Sequence, residues 1–158
     1  MKAPPFALQG VDGKTRTLDS LKGGKATIIV FSCNHCPYVV KAEDAFISAF
    51  NDYQDNGVGM AAINANDSDG YPEDSFENMI VRAAEKKFPF AYLRDETQAV
   101  AKAYGATHTP QLFVFDGGLN LAYAGAVSGL RDALDDLVAG RAVRTPETRA
   151  IGCTIKWK

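Results

Sequence analysis

The residues best suited to chemistry are two cysteines, Cys33 and Cys36, in the segment Phe31–Tyr38. They follow the apolar run Ala26–Phe31, which predicts a buried strand, and precede a stretch whose apolar residues recur at helical spacing. The pair is therefore predicted to lie where a strand ends and a helix begins. The first turn of a helix carries free N–H groups and partial positive charge, which stabilise the reactive thiolate. Two thiols at this spacing predict a centre that cycles between dithiol and disulfide.

The neighbours of the two cysteines refine this prediction. His35, as imidazolium, would favour the Cys33 thiolate, and Pro37 suits the first turn of a helix. No lysine or arginine lies between the cysteines, so a lowered Cys33 pKa would come from the helix end and His35. We expect Cys33 to face solvent and Cys36 to be shielded one turn further in. The alternative is that both are ordinary small core residues.

Composition indicates one globular domain and narrows the classes of partner. The chain has 158 residues, 46% hydrophobic residues and a net charge of -2. We expect a single domain over 1–158, with an extended lead-in at 1–24 and a tail at 141–158. Without a basic stripe we expect no nucleic-acid partner, and apolar runs of about six residues are too short for a membrane span.

The amino-terminal segment bears on localisation. Met1–Phe6 lacks the apolar core of a signal peptide, which favours a cytoplasmic protein, although a chain trimmed of its signal would look the same. In a reducing compartment a Cys-x-x-Cys pair is catalytic or metal-binding more often than a permanent crosslink.

Strand and helix patterns alternate along the chain, which predicts an α/β fold with a mixed central sheet and helices on both faces. After an extended lead-in at 6–18, the predicted strands are 26–31, 58–63, 91–93, 112–115 and 119–124. The predicted helices are 36–54, one from 76 to just before 88, 96–104 and one ending before 140. The first three strand units would be parallel and the last two strands an antiparallel hairpin. This order places the cysteine pair at the carboxyl end of a central strand, where open α/β sheets carry their sites.

Several motifs in this order resemble the thioredoxin superfamily, and within it the peroxiredoxin-like (AhpC/TSA-type redoxin) branch. They are the Cys33–Cys36 pair, Thr109-Pro110 before a strand, an inserted strand and helix between Met60 and Lys87, and the lead-in turn at 12–14. The ending, 152–157, is similar to that of an uncharacterised peroxiredoxin-like subgroup. The resemblance covers nearly the whole chain and implies a thioredoxin-like fold.

The resemblance also implies that Pro110 is cis and faces the cysteine pair. The backbone of Thr109 could then pair with an extended substrate chain. From the sequence alone, Pro110 could equally be a trans proline that opens a strand, because cis X-Pro bonds are a minority of about 5%.

The expected activity is thiol–disulfide exchange on protein or small-molecule disulfides, without a cofactor. Cys33 would attack the substrate disulfide, and Cys36 would then attack Cys33 to release the substrate thiol. An unidentified reductant would restore the dithiol. Two departures from the thioredoxin pattern are Ser32, where a tryptophan is usual, and Thr27, where an aspartate is usual.

Since Thr27 cannot accept a proton as an aspartate does, another group must do so. Asn64, Asn66 and Asp67 follow the second buried strand and could approach the site. Glu43 in the first long helix is another candidate. The alternative for these residues is a solvated loop and a surface carboxylate.

Peroxide reduction, with Cys33 as the peroxidatic cysteine, is the main competing function. Peroxiredoxins resemble this chain, but their motif has a threonine or serine three residues before that cysteine, where this chain has Val30. They also use a remote arginine, for which Arg131 and Arg94 are candidates. Poor alignment of the peroxide would cost rate, so disulfide exchange is favoured.

The third cysteine, Cys153, has several possible roles. It could be a resolving partner, a link between subunits, or a small hydrophobic residue that docks the tail with Ile155 and Trp157. The oligomeric state is left open.

A third possible function is metal binding. Cys33 and Cys36 have zinc spacing, and His35, His108 and Cys153 could complete a set. A structural zinc site normally contains a second close pair of ligands, which this chain lacks, so we expect no metal.

Overall fold

The computed structural model describes all 158 residues, Met1–Lys158. Its centre is a seven-stranded mixed sheet with the order β2-β1-β5-β4-β3-β7-β8. The strands are β1 (Ala7–Gly10), β2 (Thr15–Thr17), β3 (Ala26–Ser32), β4 (Val58–Asn64), β5 (Ala91–Arg94), β7 (Gln111–Asp116) and β8 (Leu121–Gly125). Two short strands, β6 (His108–Thr109) and β9 (Cys153–Thr154), form a separate ladder.

Five α-helices connect and cover the strands. They are α1 (Leu18–Leu21), α2 (Pro37–Tyr53), α3 (Phe76–Lys86), α4 (Ala99–Tyr104) and α5 (Leu130–Val138). Helix α2 begins at Pro37, where the missing N–H would have had no helical partner. Gly57 adopts a left-handed φ of 81° after the helix, and this turn leads the chain directly into β4.

Strand directions agree with the alternating pattern of the sequence. β3 pairs parallel with β4 and antiparallel with β7, and β4 pairs parallel with β5. The parallel register sets Ser32 opposite Asn64, and Asn64 opposite Arg94. The carboxyl ends of three neighbouring strands therefore meet at one edge of the sheet, beside the cysteine pair.

Strand β3 is buried at all seven positions, because apolar layers cover both faces of the sheet. Ile28 and Val30 face the larger core, which includes Phe46 of α2. Ile29 and Phe31 face the second core. This burial explains the uninterrupted apolar run and holds the end of β3 rigidly in place.

The tail from residue 141 contains a short strand, which was not predicted because the sequence of the tail shows no periodicity. Cys153 and Thr154 form β9, which pairs antiparallel with β6 in the register Thr109–Cys153 and His108–Thr154. A two-residue strand is too short to show a period, and its partner lies far away in the sequence. No helix in the structure has both the length and the apolar character needed to cross a membrane.

Candidate active site

The Cys-x-x-Cys pair occupies the turn between β3 and α2, as predicted. The backbone N–H of Cys36 donates to Cys33 Sγ at 3.3 Å. The Cys33 thiol points to Thr109 Oγ1 at 3.8 Å, a long and weak contact. The Cys36 thiol lies 3.5 Å from the carbonyl oxygen of Thr109. One residue, Thr109, therefore contacts both sulfur atoms.

The Thr109–Pro110 peptide bond is cis, which confirms the expectation drawn from the resemblance. Thr109 itself is buried and belongs to β6, the strand that pairs with the tail. The edge of Thr109 at which a substrate chain was expected to pair is thus occupied by β9.

The expectation that Cys33 faces solvent is wrong. The side chain is 1% exposed, and that of Cys36 is 3% exposed. The cysteine turn is covered by the segment before α3, where the Glu73 carbonyl accepts the side-chain N–H of Asn34 at 2.9 Å. The sequence located the helix mouth correctly but could not show which segments fold over it.

The expectation of a stabilised Cys33 thiolate is also wrong for this closed state. Burial, followed by the nearby carboxylate of Asp74, raises the pKa of Cys33 to about 12. Backbone N–H groups of His35 and Cys36 and the hydroxyl of Thr109 oppose this shift but do not overcome it. Loss of water around a thiolate outweighs the few dipoles that point at it.

Asp74 is the functional candidate that sequence analysis missed. Its carboxylate is fully buried and accepts the Asn34 backbone N–H at 2.8 Å. Asn66 donates to it at 3.0 Å and Asn64 at 3.3 Å. An acidic residue just before a helix looks like an ordinary helix start, so Asp74 carried no distinctive signal. Of the two possibilities that the sequence left open for Asn64 and Asn66, the structure shows the approach to the site, because both donate to this carboxylate.

His35 contacts Asp74 as well. Its Nδ1 atom lies 3.1 Å from the carboxylate, and its side chain is 38% exposed. A cysteine sulfur of Cys33, a ring nitrogen of His35 and a carboxylate oxygen of Asp74 all lie within 4.8 Å of one another. The three side chains therefore form one polar cluster that runs from the buried sulfur to the partly exposed ring.

The remaining candidates for a proton acceptor have other partners. Glu43 is buried and forms an ion pair with Arg82, while burial raises its pKa. Asp67 accepts the backbone N–H of Asp69 at 3.1 Å within its own loop. The Thr27 hydroxyl accepts the backbone N–H of Gly23 at 2.9 Å and so closes a turn.

Neither candidate peroxide-binding arginine forms a hydrogen bond with a cysteine. Arg94 is buried and donates to the carbonyl oxygens of Asn64 and Asn66 at 3.3 and 2.7 Å. Arg131 forms an ion pair with Asp52 at 2.8 Å on the outside of α2. These contacts give both arginines structural roles in the closed state.

Cys153 lies in the site, with its Sγ atom 2.6 Å from that of Cys36. Burial opposes ionisation of Cys36, but hydrogen bonds from the Cys153 thiol and from the Val39 backbone leave its pKa lowered. The hydrogen bond to Cys36 raises the pKa of Cys153, which is only half-buried. Ile155 anchors the tail at 2% exposure, whereas Trp157 is 38% exposed.

The metal-ligand set considered from the sequence does not assemble. His108 directs Nδ1 to the Thr107 hydroxyl at 2.7 Å. The one cluster of three potential ligands contains Cys33, His35 and Asp74.

The fold and the paired cysteines beside a cis proline define a peroxiredoxin-like member of the thioredoxin superfamily. Residues 1–124 match the model of the AhpC/TSA family, and the chain belongs to this family. It is 27% identical over 107 residues to a chloroplastic peroxiredoxin Q of Populus jackii, a match that covers 66% of this chain and 46% of that protein. The chain thus spans less than half the length of the curated relatives it matches.

Two solved structures illustrate the range of similarity. An uncharacterised conserved protein from Geobacillus kaustophilus is 45% identical, with a TM-score of 0.96 over 100% of this chain and 91% of that one. A peroxidoxin from Mycobacterium tuberculosis is 16% identical, with a TM-score of 0.68 over 88% and 92% of the two chains. The second likeness concerns the fold alone.

Proposed function

We propose that this chain is a thiol–disulfide oxidoreductase in which Cys33 and Cys36 alternate between dithiol and disulfide. The observation that carries this proposal is the placement of both sulfur atoms against Thr109, next to the cis peptide bond. The proposed substrates are disulfides of proteins or small molecules, an external reductant completes the cycle, and no cofactor takes part. A cytoplasmic location suits this chemistry.

The proposed chemistry begins at Cys33. Asp74, beside the sulfur, accepts the thiol proton as Cys33 attacks a substrate disulfide, so that a full thiolate need not persist in the buried site. One substrate sulfur leaves as a thiol, and the other remains bound to Cys33. Cys36 then attacks Cys33, which releases the second substrate thiol and forms the internal disulfide.

Substrate access requires local opening, because Cys33 is 1% exposed. Of the two covering elements, the 72–74 segment carries Asp74 and stays in place, whereas the tail, held over Thr109 by the two-residue β6–β9 ladder, is the one that opens. Such contacts open at low free-energy cost compared with global unfolding. We therefore propose that the closed state protects the thiols and that an open state reacts.

Reduction of insulin disulfides by the protein, recycled with dithiothreitol, tests this function. The wild type should accelerate precipitation of the insulin B chain, and Cys33→Ser should abolish the acceleration. Cys36→Ser should accumulate a mixed disulfide with a model disulfide substrate, detectable by mass. Full activity of Cys33→Ser would contradict the proposal, and trapping by Cys33→Ser instead of Cys36→Ser would reverse the assigned order of attack.

Reduction of hydroperoxides is the second candidate, and the burial of Cys33 is the observation that favours it. A small hydroperoxide needs a smaller opening than a protein disulfide, and two peroxiredoxin Q relatives share part of this sequence. Cys33 would attack one peroxide oxygen, the O–O bond would break with release of an alcohol or water, and Cys33 would become a sulfenic acid. Cys36 would then attack this sulfur and displace water to form the disulfide. Consumption of hydrogen peroxide, measured beside insulin reduction on the same preparation, decides between the two activities.

A further inference from the structure

We propose that Cys153 is a third redox residue, which takes over Cys36 from the Cys33–Cys36 disulfide and forms a Cys36–Cys153 disulfide. This inference rests on the proposed function, since that function supplies the first disulfide. It assigns a chemical role to the tail, which otherwise only covers the site.

The first support is the distance between the two sulfur atoms. Cys36 Sγ and Cys153 Sγ lie 2.6 Å apart, and a disulfide bond of about 2.05 Å needs only a small further approach. The antiparallel register of β6 and β9 sets Cys153 directly opposite Thr109, whose carbonyl oxygen also contacts the Cys36 thiol. Both sulfur atoms are thus held on the same side of Thr109.

The second support is that contacts on either side of Cys153 fix its position while the tail is closed. On the amino-terminal side of Cys153, Gly152 packs so closely on Thr109 that an added Cβ would lie 2.2 Å from the Thr109 carbonyl oxygen. On the carboxyl-terminal side, the Ile155 N–H donates to the Thr107 carbonyl at 2.9 Å, and the Lys156 N–H donates to the Asn66 side chain at 2.9 Å. Reacting groups held in this way need little ordering before they react.

The proposed step conserves atoms and electrons. The Cys153 sulfur, once deprotonated, attacks Cys36 within the Cys33–Cys36 disulfide. The bond between Cys33 and Cys36 breaks, a bond between Cys36 and Cys153 forms, and Cys33 leaves as a thiolate that takes up a proton. One disulfide replaces another, so no oxidant or reductant is consumed.

This exchange moves the disulfide from a buried position to an accessible one. Cys153 is half-buried, whereas Cys33 and Cys36 are almost fully buried. An external dithiol can attack the Cys153 sulfur, with Cys36 as the leaving thiolate, and a second attack by the same dithiol frees Cys153. Cys153 therefore links the buried pair to the external reductant.

The test uses the full chain of Cys33→Ser, in which Cys36 and Cys153 are the two remaining cysteines. The protein is oxidised with oxidised glutathione, its free thiols are blocked with N-ethylmaleimide, and it is digested with trypsin. Cleavage after Lys25, Lys41, Arg149 and Lys156 puts the two cysteines on peptides 26–41 and 150–156. We expect a monomer that has lost both thiols and yields these two peptides covalently linked. Two free or glutathionylated thiols, or a link only between chains, would overturn the proposal.

Two further measurements distinguish failure of this inference from failure of the proposed function. The oxidised wild type should yield the same linked peptides with Cys33 blocked by N-ethylmaleimide, so the result does not depend on the folding of one variant. Cys153→Ser should instead form the Cys33–Cys36 disulfide within peptide 26–41. A missing link in Cys33→Ser together with a normal disulfide in Cys153→Ser refutes the third redox residue alone. No Cys33–Cys36 disulfide in Cys153→Ser, together with no insulin reduction by the wild type, refutes the proposed function itself.

Discussion

The carboxylate of Asp74 and the thiol of Cys33 lie side by side in the closed fold, with an oxygen and the sulfur within 4.8 Å. The two residues come from different elements, and neither side chain has contact with bulk water. A negative charge at this distance opposes ionisation of the thiol, yet it also offers a nearby acceptor for the proton. This pairing holds Cys33 in its protonated form until the reaction removes the proton.

Asp74→Asn should lower the Cys33 pKa and slow turnover at the same time. Removing a buried like charge lowers a thiol pKa by about one unit or more, and losing a general base costs about 100-fold in rate. The pH dependence of Cys33 alkylation and the rate of insulin reduction measure the two effects. Asp69→Asn, in an exposed part of the same loop, is the matched control. An unchanged alkylation midpoint in Asp74→Asn would show that the carboxylate does not act on Cys33.

Alkaline pH should destabilise the reduced protein through Cys33. The folded state raises the pKa of this thiol from 9.0 to about 12 and so holds the proton more tightly than the unfolded chain. The contribution to stability is therefore complete below pH 9 and is lost as pH rises toward 12. A single such group gives a slope of about 1.4 kcal/mol per pH unit.

Urea unfolding of the reduced wild type and of reduced Cys33→Ser, at several pH values from 8 to 11, measures this slope. The wild type should lose stability more steeply above pH 9. Tyr104, whose pKa is raised by burial alone, contributes equally to both proteins, and the part of the Tyr92 shift that the Cys33 charge causes belongs to the Cys33 difference. Parallel curves would mean that the thiol titrates normally.

Thr109→Val should slow alkylation of Cys33 by about twofold at a fixed pH. The hydroxyl of Thr109 favours the Cys33 thiolate, and valine keeps the shape while removing one long, weak hydrogen bond worth about 0.5 kcal/mol. Thr107→Val removes a hydroxyl from an exposed position two residues earlier and serves as the control. Equal alkylation rates in both variants and the wild type would show that the Thr109 hydroxyl does not affect the reactivity of Cys33.

Gly152→Ala should displace the tail and expose the cysteine pair. The new methyl group would lie 2.2 Å from the Thr109 carbonyl oxygen, so β9 must move away from β6. We expect a loss of about 1–3 kcal/mol in unfolding free energy and faster alkylation of Cys33. In Gly24→Ala the methyl group meets no atom within 4 Å, which makes this variant the control. Unchanged stability and alkylation in Gly152→Ala would show that the tail does not restrict access.

Local sequence patterns were enough to predict the elements that frame the site. The apolar run of β3, the proline at the start of α2 and the alternation of strand and helix patterns predicted the position of the cysteine turn and the mixed sheet. The prediction of a cis bond before Pro110 came from the family resemblance. These features depend on residues that are close together in the chain or on a short sequence motif. They can therefore be predicted from the sequence.

The groups that surround the two cysteines became evident from the three-dimensional fold and not from local patterns. Asp74 reaches the cysteine turn across 40 residues through Asn34, and Cys153 reaches Cys36 across 117 residues. A single aspartate or cysteine has no periodicity, so nothing local marks it as a neighbour of the site. The exposure and pKa of Cys33 follow from these distant contacts, because they depend on how much water and charge the complete fold leaves beside the sulfur.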